Sequence, residues 1–201
     1  MGQERHAKGT RVLPKTLGIQ INSTTMKVSV FIATSLDGYI ARPNGDIDWL
    51  IEADDSGGKE DYGYKEFSDT VDCMVMGRNS MEMVMGFPEW PYKSKRVIVL
   101  SNTLKETPSK LQDKVELYSG SLIKLVTELK NDGCKRIYID GGKTIQSFIN
   151  ENLITDITIT KIPILLGEGL SLFGETKHDI KLKHIESKSY PSGFVKSTYE
   201  I

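Results

Sequence analysis

Apolar residues in this chain gather in short blocks rich in β-branched side chains and methionine, divided by polar stretches that carry glycine or a helical stripe. Residues 27–34, 72–76, 96–100, 135–139 and 156–162 read as buried strands, because a strand covered on both faces shows a continuous apolar run rather than alternation. A shorter strand is expected over Val115 to Tyr118. Between them the pattern turns helical: over 59–69, in a short helix from Ser80, and over 143–151. Ser121 caps another helix, in which Leu122, Leu125, Val126 and Leu129 form one stripe and which Asn131-Asp132-Gly133 ends. Pro43-Asn44-Gly45 and the stretch from Asp54 to Gly58 read as loops. Strand alternating with helix predicts an α/β fold on a mostly parallel central sheet with right-handed crossovers. The end of the chain breaks that rule. Ile180 to Tyr190 and Phe194 to Ile201 flank Pro191-Ser192-Gly193, a turn signal, and predict an antiparallel hairpin at one sheet edge.

Three of the strands finish in small or phosphate-seeking residues: Gly77-Arg78-Asn79-Ser80, Leu100-Ser101-Asn102 and Asp140-Gly141-Gly142-Lys143-Thr144. In open α/β sheets ligands bind at such carboxyl ends. A helix start presents unpaired N–H groups and a partial positive charge, glycine lets a phosphate approach the backbone, and Arg78, Lys143, Ser80 and Thr144 add donors. Singly these turns are ordinary strand-to-helix connections; as a set they predict a dinucleotide cradle. A phosphate-loop kinase is excluded, because that motif needs a glycine where Ile137 stands.

Composition narrows the classes further. With 26 Lys and Arg against 27 Asp and Glu there is no field to attract nucleic acid or an anionic membrane. No apolar run approaches the ~20 residues of a membrane span and no secretion signal is visible, so a cytoplasmic protein is expected. Cys73 and Cys134 lack metal-ligand spacing and read as reduced thiols, and His178 and His184 read as surface residues. No metal is expected. Residues 1–25 are polar, slightly basic and aperiodic, and read as a disordered extension ahead of a domain over 26–201; a targeting segment is the alternative, opposed by Glu4 and weak amphipathicity.

Five segments, in this order and spacing, carry a resemblance: Ile32-Ala33-Thr34-Ser35-Leu36-Asp37-Gly38-Tyr39-Ile40, Met76-Gly77-Arg78-Asn79-Ser80, Val99-Leu100-Ser101, Asp140-Gly141-Gly142-Lys143 and Pro163-Ile164-Leu165-Leu166-Gly167-Glu168-Gly169. The chain resembles the dihydrofolate reductase superfamily, and within it the riboflavin-pathway reductase domain and its bacterial relatives. The resemblance implies a three-layer fold with helices on both faces of the sheet. It also implies a reductase that moves a hydride from NADPH to the carbon of a C=N bond in a pterin-like or ribosylaminopyrimidine-like molecule. Ala33, Asp37, Gly38 and Ile40 then line the nicotinamide and its flap, and Gly77, Arg78, Asn79 and Ser80 hold the adenosine phosphates. Leu100, Ser101 and Asn102 lie by the adenosine ribose, with Arg78 and the Ser101-Asn102 turn meeting a 2′-phosphate. Gly141, Gly142, Lys143 and Thr144 lie under the pyrophosphate. A homodimer is a further implication, with apolar surface offered by the edge strands and by Pro163 to Phe173.

The reaction also needs a proton. Counting back from the Gly-Arg strand puts Asp61 where folate enzymes carry their acid on a helix, and Thr160 matches the strand hydroxyl that supports it. Walls of Trp49, Tyr64 and Phe67 would desolvate the carboxyl and raise its pKa. Trp49 and Tyr64 are then substrate contacts, or else plain core and loop anchors, and Asp61 is the acid, or else a partner for a helix dipole. Asp140 stands where folate enzymes carry glycine, and an acid there repels a pyrophosphate unless it points away or is capped. The segment from Asp46 to Glu60 is acidic where riboflavin reductases carry basic, phosphate-binding residues. No deaminase motif is fused to the chain. The alternatives are a true dihydrofolate reductase and, in another class, a catalytically silent nucleotide-binding module.

Overall fold

The structure is a computed structural model that describes residues 25–54, 57–92 and 94–201. The extension read over 1–25 therefore lies, Thr25 apart, outside the described residues, as does part of the Asp54 to Gly58 loop. In chain order the elements are β1 (Lys27–Ser35), β2 (Tyr39–Ala41), α1 (Asp48–Ala53), α2 (Tyr64–Asp69), β3 (Cys73–Gly77), α3 (Arg78–Val84), β4 (Arg96–Leu100) and β5 (Glu116–Tyr118). There follow α4 (Leu122–Asn131), β6 (Arg136–Asp140), α5 (Gly142–Asn150), β7 (Asp156–Ile162), β8 (Leu170–Ser171), β9 (Lys183–Ser189) and β10 (Val195–Glu200).

Eight strands form one sheet in the order β5-β4-β3-β6-β1-β7-β10-β9. The first six run parallel, and β10 and β9 join antiparallel as the expected C-terminal hairpin. Side chains alternate between two cores, as the period of two demands. Val28 and Val30 of β1, Cys73 and Val75 of β3, and Ile137 and Ile139 of β6 pack with Leu125 and Leu129 of α4 and with Ile145 and Phe148 of α5. On the other face Met74, Met76, Val97, Val99 and Tyr138 meet Phe67 of α2 and Met81 of α3, and Trp49 of α1 packs with Ile162, Tyr190 and Phe194. Both faces are covered, which is why the strand sequences show no polar alternation.

Three details differ from the sequence reading. The helix expected over 59–69 occupies only Tyr64–Asp69, because Gly63 adopts a left-handed φ of 86° and Tyr62 one of 54°, and both interrupt helical geometry. A six-residue helix, α1, forms in a segment that carried no helical period; it is too short to show one, and the burial of Trp49 anchors it. A small second sheet, β2 with β8, joins the loop after β1 to the one after β7. Among the described residues no helix is long and apolar enough to cross a membrane.

Candidate functional site

Four neighbouring parallel strands, β4, β3, β6 and β1, end on one edge of the sheet. Register sets the ends of β4, β3 and β6 nearly level, with Gly77 opposite Leu100 and Met76 opposite Asp140, while β1 runs on past them to Ser35. The turns after Leu100, Gly77 and Asp140 thus stand side by side. They also touch. A Cβ built on Gly77 would come 2.9 Å from Thr144 Oγ1, and one on Gly141 would come 2.6 Å from Ser80 Oγ, so the starts of α3 and α5 are packed as tightly as glycine permits. Gly141 has φ 91°, which by itself favours glycine. Neither helix start has a side-chain cap, which leaves first-turn N–H groups directed at the edge.

At the β4 end, Ser101 Oγ accepts from the N–H groups of Thr103 (3.3 Å) and Leu104 (3.0 Å) and folds the turn. Arg78 reaches this turn through Nη1 to Thr103 Oγ1 (3.3 Å) while its Nε pairs with Glu82 (2.9 Å). Asn79, Asn102 and Lys143 are exposed beside them, and Thr144 is buried. At the β1 end, half-buried Ala33 lies opposite Thr160 of β7. The Asp37 carboxylate is bound by the loops themselves: it accepts from Ser35 Oγ (2.6 Å), Leu166 N (3.2 Å) and Gly167 N (2.8 Å), and these hydrogen bonds, led by Ser35, hold its pKa below the ordinary carboxylate value. Asp37 therefore ties the flap to the loop after β7 rather than facing the edge with a free carboxylate. Gly38 turns with φ 88° into β2, and Ile40 lies where a Cβ on Gly142 would come 2.9 Å from its Cδ1. The β2–β8 flap thus closes over the start of α5.

Asp61 does not sit in the expected pocket. It precedes α2 in an exposed turn, where its Oδ1 accepts from Gly63 N (2.9 Å) and its Oδ2 from Lys65 N (2.8 Å). Those bonds lower its pKa instead of raising it. Trp49 is likewise no substrate wall: it is 1% exposed in the core beneath Ala33. Tyr64 is 38% exposed and sets its ring edge against Phe31 at 5.9 Å. Thr160 is buried with its hydroxyl unpartnered, and Trp49 Nε1 and Tyr190 Oη are unpartnered too.

One acid that counting along the sequence treated only as an obstacle stands at the edge itself. Asp140 ends β6, half-buried, and burial pushes its carboxyl above the ordinary value, against hydrogen bonds from the Gly141 backbone and the Ser80 side chain. Its sequence signal was an acid closing an otherwise apolar strand before Gly141-Gly142. Cys73 is buried in the sheet, its thiol pushed up to about 12 by that burial, and has no part in the edge.

A parallel sheet with a flap and two abutting helix starts at its carboxyl edge defines the dihydrofolate reductase-like α/β class. Within it the chain belongs to the RibD C-terminal domain family, whose model matches residues 26–196. It is 35% identical over 167 residues to the uncharacterized protein YwjB of Bacillus subtilis (strain 168), across 82% of this chain and 92% of that one. A solved structure of a putative riboflavin biosynthesis protein from Shewanella sp. PV-4 is 44% identical, with a TM-score of 0.82, over 87% of this chain and 98% of that one. Dihydrofolate reductase from Enterococcus faecalis, solved with NADP(H) and RAB-propyl, shares the fold at 16% identity and a TM-score of 0.59, over 87% of this chain and 95% of that one.

Proposed function

We propose that this protein is an NADPH-dependent reductase of a C=N bond in a pterin-like or ribosylaminopyrimidine-like small molecule. The observation that carries this reading is the level row of the β4, β3 and β6 ends, which brings the three strand-end turns singled out in the sequence onto one edge with two uncapped helix starts. The residues present fit the cofactor. The first turn of α5 with Gly141 and Gly142 would hold the pyrophosphate, and Arg78 with the Ser101–Thr103 turn would hold the 2′-phosphate that distinguishes NADPH from NADH. When bound, that cofactor supplies the hydride. The chain's own residues do the rest: Ala33, Ile40 and the Asp37-anchored flap bound the nicotinamide end. A folate reductase using Asp61 is disfavoured, since that carboxylate is exposed and committed to the start of α2. Leu165, Leu170 and Phe173, exposed at 69%, 43% and 48%, support a homodimer through this segment, which sedimentation equilibrium reads directly.

The test is a fluorescence titration with NADPH and NADH, following energy transfer from tryptophan to the reduced nicotinamide. Saturable binding that favours NADPH is expected; binding of neither cofactor overturns the reading.

A further inference from the structure

We infer that Asp140, at the carboxyl end of β6 beside the Gly141-Gly142 turn, donates the proton that accompanies hydride transfer. This rests on the reductase reading and assigns that site its acid. Asp140 follows Tyr138 by two positions on one strand, so both side chains leave the same face, and Tyr138 already reaches across that face to donate to the Phe31 carbonyl at 2.8 Å. This is the face of Phe31, Phe67 and Tyr64, whose rings stack and meet edge-on. The carboxyl thus stands between an aromatic wall on one side and the Gly141-Gly142 turn on the other.

The groups around it suit an acid. The titratable side chains coupled to Asp140 are three phenols: Tyr64 of α2, Tyr92 of the segment before β4 and Tyr138 of its own strand, each raised by burial and then by the Asp140 charge. From α3 it receives the Ser80 side chain, and from α5 the Gly141 backbone. No cation among the described residues acts to keep it ionised. Burial that favours the protonated form also eases the conflict visible in the sequence, because a protonated carboxyl does not repel a pyrophosphate. The step balances: NADPH, when bound, would supply the hydride, two electrons and a hydrogen, to the C=N carbon and leave as NADP+, Asp140 would give its proton to the nitrogen so that C=N becomes CH–NH, and solvent would reprotonate the carboxylate.

Two measurements on the full chain decide it without a known substrate. Carboxyl carbon NMR of the wild-type protein is expected to show Asp140 titrating above the ordinary carboxylate value; a titration at or below that value overturns the inference. NADPH Kd, measured by fluorescence against pH, is expected to rise by up to about tenfold per pH unit above that titration, and this limb disappears in Asp140→Asn. Identical pH profiles in both proteins overturn it. With 7,8-dihydropterin or 7,8-dihydrofolate as the probe, any NADPH-dependent turnover is expected to drop about 100-fold or more in Asp140→Asn, while NADPH affinity below the Asp140 titration is kept. Turnover that survives the substitution overturns the inference and leaves the reductase reading standing, whereas failure of the wild type to bind NADPH at any pH overturns both.

Discussion

Alanine at position 141 probes how closely the two helix starts meet. Two penalties follow from the structure. Gly141 has φ 91°, where an L side chain is strained by about 1–2 kcal/mol. The new Cβ would also lie 2.6 Å from Ser80 Oγ, well inside contact, and relieving such an overlap in a packed site costs about 1–3 kcal/mol. Gly141→Ala is therefore expected to lose about 2–5 kcal/mol, read as a lower urea midpoint at unchanged m-value. Ser80→Ala separates the terms, since it deletes the clashing oxygen and leaves the Ser80 Cβ at 3.8 Å, an ordinary contact. In the double variant the overlap share returns and the backbone strain stays, giving a favourable coupling of about 1–3 kcal/mol. A single variant within about 0.5 kcal/mol of wild type would refute the packing argument, and a double variant with no coupling would refute the assignment of the overlap to Ser80.

Three further outcomes are expected. Asp61→Ala should cost about 1 kcal/mol through loss of the two bonds that start α2, with NADPH affinity unchanged; because its folded pKa is depressed, its contribution is present above its unfolded pKa and is lost as pH falls through the folded value, so acid unfolding of the variant should flatten in that window. Thr160→Val replaces a buried, unpartnered hydroxyl with an isosteric apolar group, so urea unfolding should show stability kept or raised by roughly 1–2 kcal/mol; a loss of that size would mean that the hydroxyl has a partner. Asp140→Asn should raise stability at neutral pH, since a carboxyl whose folded pKa is raised contributes fully below its unfolded pKa and less as pH rises through the folded value; thermal unfolding at pH 4 and pH 7.5 should show the gain only at the higher pH.

How much of this was legible in the sequence follows from the range of each signal. The buried strands were, because a two-faced core writes itself as a continuous apolar run, and the hairpin was, because Pro191-Ser192-Gly193 marks its turn. Helix α1 was not: six residues span fewer than two turns, so no stripe can repeat. The β2–β8 pair was not, since it joins Tyr39 to Ser171 across most of the chain and leaves no local pattern. The turns at three strand ends were readable one by one, whereas their level alignment depends on the order β4-β3-β6, which no local motif encodes.

The acid shows the same limit more sharply. Counting along the sequence finds Asp61 by its distance from the Gly-Arg strand, but distance along a chain fixes position only while the intervening backbone is regular, and Tyr62 and Gly63 break it with positive φ. Asp61 is thereby swung outward into a helix start, where backbone N–H groups stabilise its charge. Read from residue type, Asp140 repels an anion unless it points away or is capped. Its strand carries it into the sheet edge beside the phenols of Tyr64, Tyr92 and Tyr138, where burial penalises the very ionisation that made it look misplaced. Charge assigned from residue type and charge held in the fold are different quantities. On this edge burial shifts Asp140, the residue that looks least compatible with an anion, toward its neutral form.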